Sequence, residues 1–272
     1  MVKKLFKHEI TSYLRLWLPA QAVLFAIAIF LRIILFFENE SAIYQISFGS
    51  SVFLWVVAII AALFLTPVFA IVRFYKNLFT REGYLTFTLP VSSAAHIFVK
   101  VGVAVLLFVF TILSIIVSGM VVALGEPLAE IFKATGYVLK NLFAFKDSYH
   151  LVLFMLELAV LSLIALAGEF LFFYTCITIG QMAKKNRVLA AFGVYFGFYV
   201  IGQVVSTVLL IQFALFPNLL ESLLEGIARF GEQHPLAFIH LFFALSILIS
   251  TAVSALYFFI THLIIRKKLN LE

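Results

Sequence analysis

The chain has 272 residues, 64% of them hydrophobic and 12% charged, with a net charge of +6. A soluble domain is roughly half apolar and about a quarter charged, so this composition excludes a chain that covers itself with a water-facing surface and makes lipid its main solvent. The positive charges fall in short clusters between apolar runs rather than in one patch, which excludes nucleic acid as the partner and reads as an orientation signal in a membrane.

Residues 1–15 do not yet form a span. Val2, Leu5, Phe6, Ile10, Tyr13 and Leu14 recur at steps of three and four, while Lys3, Lys4, Lys7, His8 and Glu9 take the other face. That pattern predicts an amphipathic helix in the headgroup layer. No small-residue cleavage site follows it, so it is not read as a cleavable signal.

A bilayer core about 30 Å thick needs roughly 20 apolar residues per helix. Six stretches meet that length: 16–37, 50–74, 97–124, 151–179, 188–216 and 236–265. They fill most of the chain and leave no room for a separate soluble domain, so the expected fold is all-α, a single transmembrane domain over 1–272. Pro67 is expected to kink the second span.

The connectors set the orientation. Fourteen of the 19 basic residues, among them Lys3, Arg15, Arg73, Arg81, Lys184, Arg187 and Arg266, fall on one side of a six-span arrangement. Glu38, Glu126, Glu130, Asp147, Glu221 and Glu225 fall on the other. Lys and Arg collect in cytoplasmic loops, so both termini are expected in the cytoplasm. Two connectors on the opposite side, 125–149 and 217–236, keep helical apolar spacing yet are too short and too charged to span. They are expected to lie on or dip into the surface, either as a simple cover or as part of a substrate exit.

Signatures of catalysis are missing. There is no G-x-x-x-x-G-K-[ST] loop and no H-E-x-x-H, and the six His are scattered. Asp147 is the sole aspartate, which excludes a paired-aspartate protease, and no G-x-S-x-G elbow occurs. The chain is therefore not expected to be an enzyme, and no metal or cofactor is expected in it. Cys176, the single cysteine, reads as a small apolar filler. Glu157 and Glu169, on the fourth span, are the candidate intramembrane polar site, because a charge at membrane depth is costly and marks function or a buried partner. They lie twelve residues apart and so roughly 120° apart around a helix.

The connector after the second span, residues 75–96, mixes aromatic residues with charges. Phe74, Leu78 and Phe79 share one face of a short helix; Lys76, Asn77 and Arg81 take another. Gly83 can end that helix, and Ser92 or Ser93 can cap the next. Both an interfacial aromatic belt and a docking knob for a cytoplasmic partner remain open on these residues alone.

The stretch FYKNLFTREGYLTFTLPVS resembles the inner connector of bacterial type-2 ABC transporter permeases, and IGQMAKKNRVLAAFGVYFG, residues 179–197, resembles the junction of their fourth and fifth spans. The resemblance implies a permease without ATPase motifs, paired with a cytoplasmic ATPase subunit that binds ATP and Mg, in an exporter with a second permease chain, same or different. It implies that residues 1–15 form an elbow helix. It also implies that Lys76, Asn77, Leu78, Phe79, Arg81, Glu82, Gly83 and Tyr84 dock as a coupling helix in a groove of the ATPase. Membrane lipid is the expected surround, and the bacterial cell membrane the expected location. A self-contained secondary transporter or channel, and a non-transporting membrane scaffold or sensor subunit, are the alternatives from other classes.

Overall fold

The computed structural model describes residues 2–37, 41–80, 83, 91–143, 148–215 and 217–267. Among these, every element is a helix: α1 Val2–Phe36, α2 Ala42–Phe79, α3 Ser93–Val122, α4 Glu126–Phe143, α5 Ser148–Gly180, α6 Arg187–Leu215, α7 Pro217–Gln233 and α8 Pro235–Lys267. α1, α2, α3, α5, α6 and α8 are long and apolar enough to cross a membrane. Lipid has no water to satisfy backbone groups, which is why apolar runs of this length close their hydrogen bonds internally as helices. All six spans expected from the sequence are present, within a turn of their expected ends except for α1 and α2.

Those two are longer than the apolar runs they contain. The amphipathic N-terminal segment and the first span form one helix of 35 residues, with Pro19 inside it. The expected short helix after the second span is likewise the last turns of α2, which runs 38 residues with Pro67 inside it. Nothing between Phe74 and Phe79 breaks helical hydrogen bonding, so α2 simply continues. Ser92 caps α3, its hydroxyl accepting from the Ala95 amide at 3.3 Å, as the sequence predicts. At the α3–α4 turn Gly125 has φ +104°, a left-handed conformation that favours glycine.

The chain divides into two compact units. In the first, α1 packs along α3. The buried stripe of α1 runs through Glu9, Tyr13, Gln21, Leu24, Ala28 and Leu31. α2 joins at Thr66, whose hydroxyl lies 2.9 Å from that of Thr111 on α3, while the Trp17 indole N–H of α1 donates to Thr111 at 2.8 Å. Three helices therefore meet at one threonine. α4 follows α3 and buries none of its residues; Ile131, Phe132, Val138, Leu139 and Phe143 are exposed. That arrangement matches a helix in the interfacial layer.

In the second unit, residues 79–80 group with α5–α8. α5 is its central helix, packing on α8 and α6, while α7 packs on α8 and α6. Two glycines permit the close approaches. A Cβ on Gly168 would lie 2.5 Å from the Ser254 hydroxyl of α8, and one on Gly180 would lie 2.6 Å from the Ala191 backbone of α6. Small residues let membrane helices approach this way. Thr175 on α5 meets the Thr261 hydroxyl of α8 at 2.9 Å. Phe172 and Phe173 pack against Tyr195, with Phe198 and Tyr257 also touching Phe172. Cys176 is buried and free.

Candidate functional site

The end of α2 is fixed by one carboxylate. Glu9 of α1, grouped by amphipathic pattern with the solvated lysines, is instead 3% exposed. Its Oε1 accepts from Lys100 Nζ of α3 at 2.6 Å. Its Oε2 accepts from Arg73 Nη2 at 3.1 Å and from Asn77 Nδ2 at 3.4 Å, both on α2. Arg73 also lies over the Tyr13 ring, 5.4 Å from its centre, a cation–π placement. His96, one turn before Lys100, is buried.

This placement has a simple cause. Lys100 is 3% exposed, and a buried ammonium is costly unless paired and hydrogen-bonded. A carboxylate that takes donors from both neighbouring helices offsets that cost for Lys100 and Arg73 together. The four residues reach the same point because Glu9 precedes the apolar run of α1, Arg73 and Asn77 follow that of α2, and Lys100 opens that of α3.

The residues of the expected coupling segment divide accordingly. Lys76 is exposed, Asn77 half-buried, and Leu78, Phe79 and Gly83 buried. Leu78 and Phe79 therefore act as anchors inside the chain, and Asn77 holds Glu9. Arg81, Glu82 and Tyr84 lie outside the described residues.

The two glutamates of α5 part company. Glu169 is exposed on a membrane-spanning helix and has no hydrogen bond or ion pair among the described residues. Glu157 is paired. Both its oxygens lie near His240 Nδ1 of α8, at 2.8 and 3.0 Å. The other nitrogen of that ring, Nε2, is 2.8 Å from His150 Nδ1 on α5. The His150 ring stands 4.0 Å from that of Tyr149 and 6.2 Å from that of Phe154. Composition and spacing singled out neither histidine. The available signal was the seven-residue step from His150 to Glu157, two turns on one face of an apolar helix. Among the described residues no cluster of His, Cys, Asp or Glu fits a metal ion.

Comparison with protein-family models, with curated proteins and with solved structures gives no match to this chain.

Proposed function

We propose that the chain is the transmembrane permease subunit of an ABC exporter in the bacterial cell membrane, moving an amphipathic, peptide or lipid-like substrate with ATP hydrolysed by a separate subunit. The observation that carries this reading is the ion cluster at the end of α2. A lever needs a grip and a rigid joint. The exposed Lys76 and the connector residues Arg81, Glu82 and Tyr84 would supply the grip, and Glu9, Arg73, Asn77 and Lys100 the joint, with Leu78 and Phe79 packed between them.

In this mechanism two ATPase subunits close on ATP and pull the connector after α2 in each of two permease chains. The load enters the last turns of α2 and passes through Arg73 and Asn77 to Glu9 on α1, and from Glu9 to Lys100 on α3. The three helices then move as a block, and the path between two chains changes. Contacts that differ between the two states are what let ATP bias the equilibrium. The basic clusters support an orientation with this connector and both termini in the cytoplasm.

The test is charge reversal at Arg81 and Glu82, read as co-purification of an ATP-hydrolysing subunit from native membranes and as substrate-stimulated ATP hydrolysis. Loss of both is the expected result. Unchanged binding and hydrolysis would overturn the docking role.

The exposed Glu169 carboxylate favours a second reading, a self-contained ion-coupled transporter. The chain reconstituted alone in vesicles, with an imposed ion gradient, separates the two. Transport without an ATPase that disappears in E169Q would replace the exporter reading.

A further inference from the structure

His150 and Glu157 sit two turns apart on one face of α5, and the His240 ring of α8 lies between them, 2.8 Å from each. We propose that these three side chains form a proton-binding site that latches α5 to α8 and releases when both imidazoles carry charge. It concerns the second unit alone and does not depend on the exporter reading.

The hydrogen inventory decides the behaviour. A neutral imidazole has one N–H donor and one lone pair, a carboxylate only acceptors, and an imidazolium only donors. With Glu157 ionised and both rings neutral, one arrangement satisfies every link. His240 Nδ1–H donates to Glu157, and His150 Nδ1–H donates to the lone pair on His240 Nε2. One proton taken up from solvent leaves the chain intact. His240 becomes an imidazolium and donates from Nδ1 to Glu157 and from Nε2 to His150 Nδ1. His150 then carries its own hydrogen on Nε2. The bond to Glu157 is now charge-assisted and stronger.

Charging the second ring reverses this. Two N–H donors would face each other across 2.8 Å with no lone pair between them and two positive charges side by side. The His150–His240 link must break. The site thus tightens over its first proton and opens over a later one. Imidazoles change charge in the range of roughly pH 5 to 8, and coupled groups titrate as a unit rather than as separate residues.

The charged and titratable surroundings are few among the described residues. α5 adds Tyr149, whose ring is tilted against that of His150 with 4.0 Å between centres. α8 contributes His240 itself, with His234 just before its start against Phe230. α7, packed on α8, carries Glu221, Glu225, Arg229 and Glu232, of which Glu225 and Arg229 pair with each other at 2.8 Å. The charge of α6, Arg187, lies at its first residue, next to the end of α5 opposite His150.

The experiment uses the full chain in lipid nanodiscs with 15N-labelled histidine. The expected spectrum shows an N–N coupling through the His150–His240 hydrogen bond at about pH 8 and loses it near about pH 5, the limits of imidazole titration. Rings that titrate independently, with no coupling at any pH, would overturn the proposal. A second measurement is the distance between spin labels at Leu153 on α5 and Leu241 on α8, both exposed, with Cys176 replaced by Ala. The distance lengthens at the acid end in the parent. In H150N it stays short at both ends, because the Asn amide can donate to a neutral His240, or turn and accept from a charged one, yet never gains charge. Equal lengthening in H150N and its parent, or none in the parent, would also overturn it.

Discussion

Lys100 Nζ lies 2.6 Å from Glu9 Oε1 although the two residues are 91 positions apart in the chain, and both are buried. Two helices of the first unit are pinned at this contact. Removing one member leaves the other as an uncompensated buried charge, which costs roughly 3–5 kcal/mol. The variant E9Q is therefore expected to lower the thermal unfolding midpoint in detergent sharply. The double variant E9Q/K100M is expected to lower it less than E9Q alone, because the buried ammonium is gone too and only Arg73, the more exposed of the two cations, is left without its carboxylate. A double variant no better than the single one would show that the pair does not act as a unit.

Gln21 makes the opposite prediction. It is 4% exposed, and neither its amide oxygen nor its amide nitrogen has a hydrogen-bond partner among the described residues. A buried polar group left unsatisfied costs about 1–3 kcal/mol. Q21L is expected to stabilise the protein by that order, read as a higher unfolding midpoint. A lower midpoint would mean that the amide is satisfied by a group that the chain alone does not supply.

Gly180 tests the close approach of α5 and α6. A methyl group there would stand 2.6 Å from the Ala191 Cα and N, and backbone cannot swing aside as a side chain can. Overpacking of this kind costs typically about 1–3 kcal/mol. G180A is expected to destabilise the protein, and G180A/A191G to remain destabilised, since the clash is with backbone. Full rescue by A191G would place the conflict on the Ala191 methyl instead.

Gly125 carries strain of another type. At φ +104° a side chain is disfavoured whatever the space, and a Cβ would also stand 3.2 Å from the Arg32 guanidinium. A non-glycine residue held in such a region costs about 1–3 kcal/mol. G125A is expected to destabilise by this order in a urea or thermal titration, while G136A, where a Cβ meets nothing within 4 Å, is expected to be neutral or stabilising. Equal effects at both positions would contradict the turn geometry.

Cys176 gives a reactivity prediction. The thiol is free and buried, so a water-soluble maleimide is expected to label it only after unfolding. Fast labelling of the folded chain would show that the face of α5 around Cys176 opens.

The helices were legible in the sequence because length and apolar content alone decide a membrane span. The Ser92 cap and the existence of the short helices α4 and α7 were legible for similar local reasons. The joint at Glu9 was not. Its partners lie 64, 68 and 91 positions away, and amphipathic spacing places Glu9 among the solvated lysines when only its own helix is considered. The continuity of α2 through Phe79 is not legible in apolar content, because a helix continues as long as its backbone hydrogen bonds do, whatever the charge of its side chains. Of the His150–His240–Glu157 chain only Glu157 stands out in the sequence, as a charge in an apolar run. His240 sits 83 positions beyond Glu157, and a lone histidine in an apolar run gives no sign of its partner.

The indole of Trp17 bonded to Thr111 has a consequence for optical work. Trp17 and Trp55 are the chain's two tryptophans, both fall in the first unit, and both border α3, Trp55 beside Gly119. Intrinsic emission excited at the red edge therefore watches one half of the molecule and is blind to the other. A denaturation curve followed by fluorescence and one followed by circular dichroism will part company wherever the halves melt separately, with no label required.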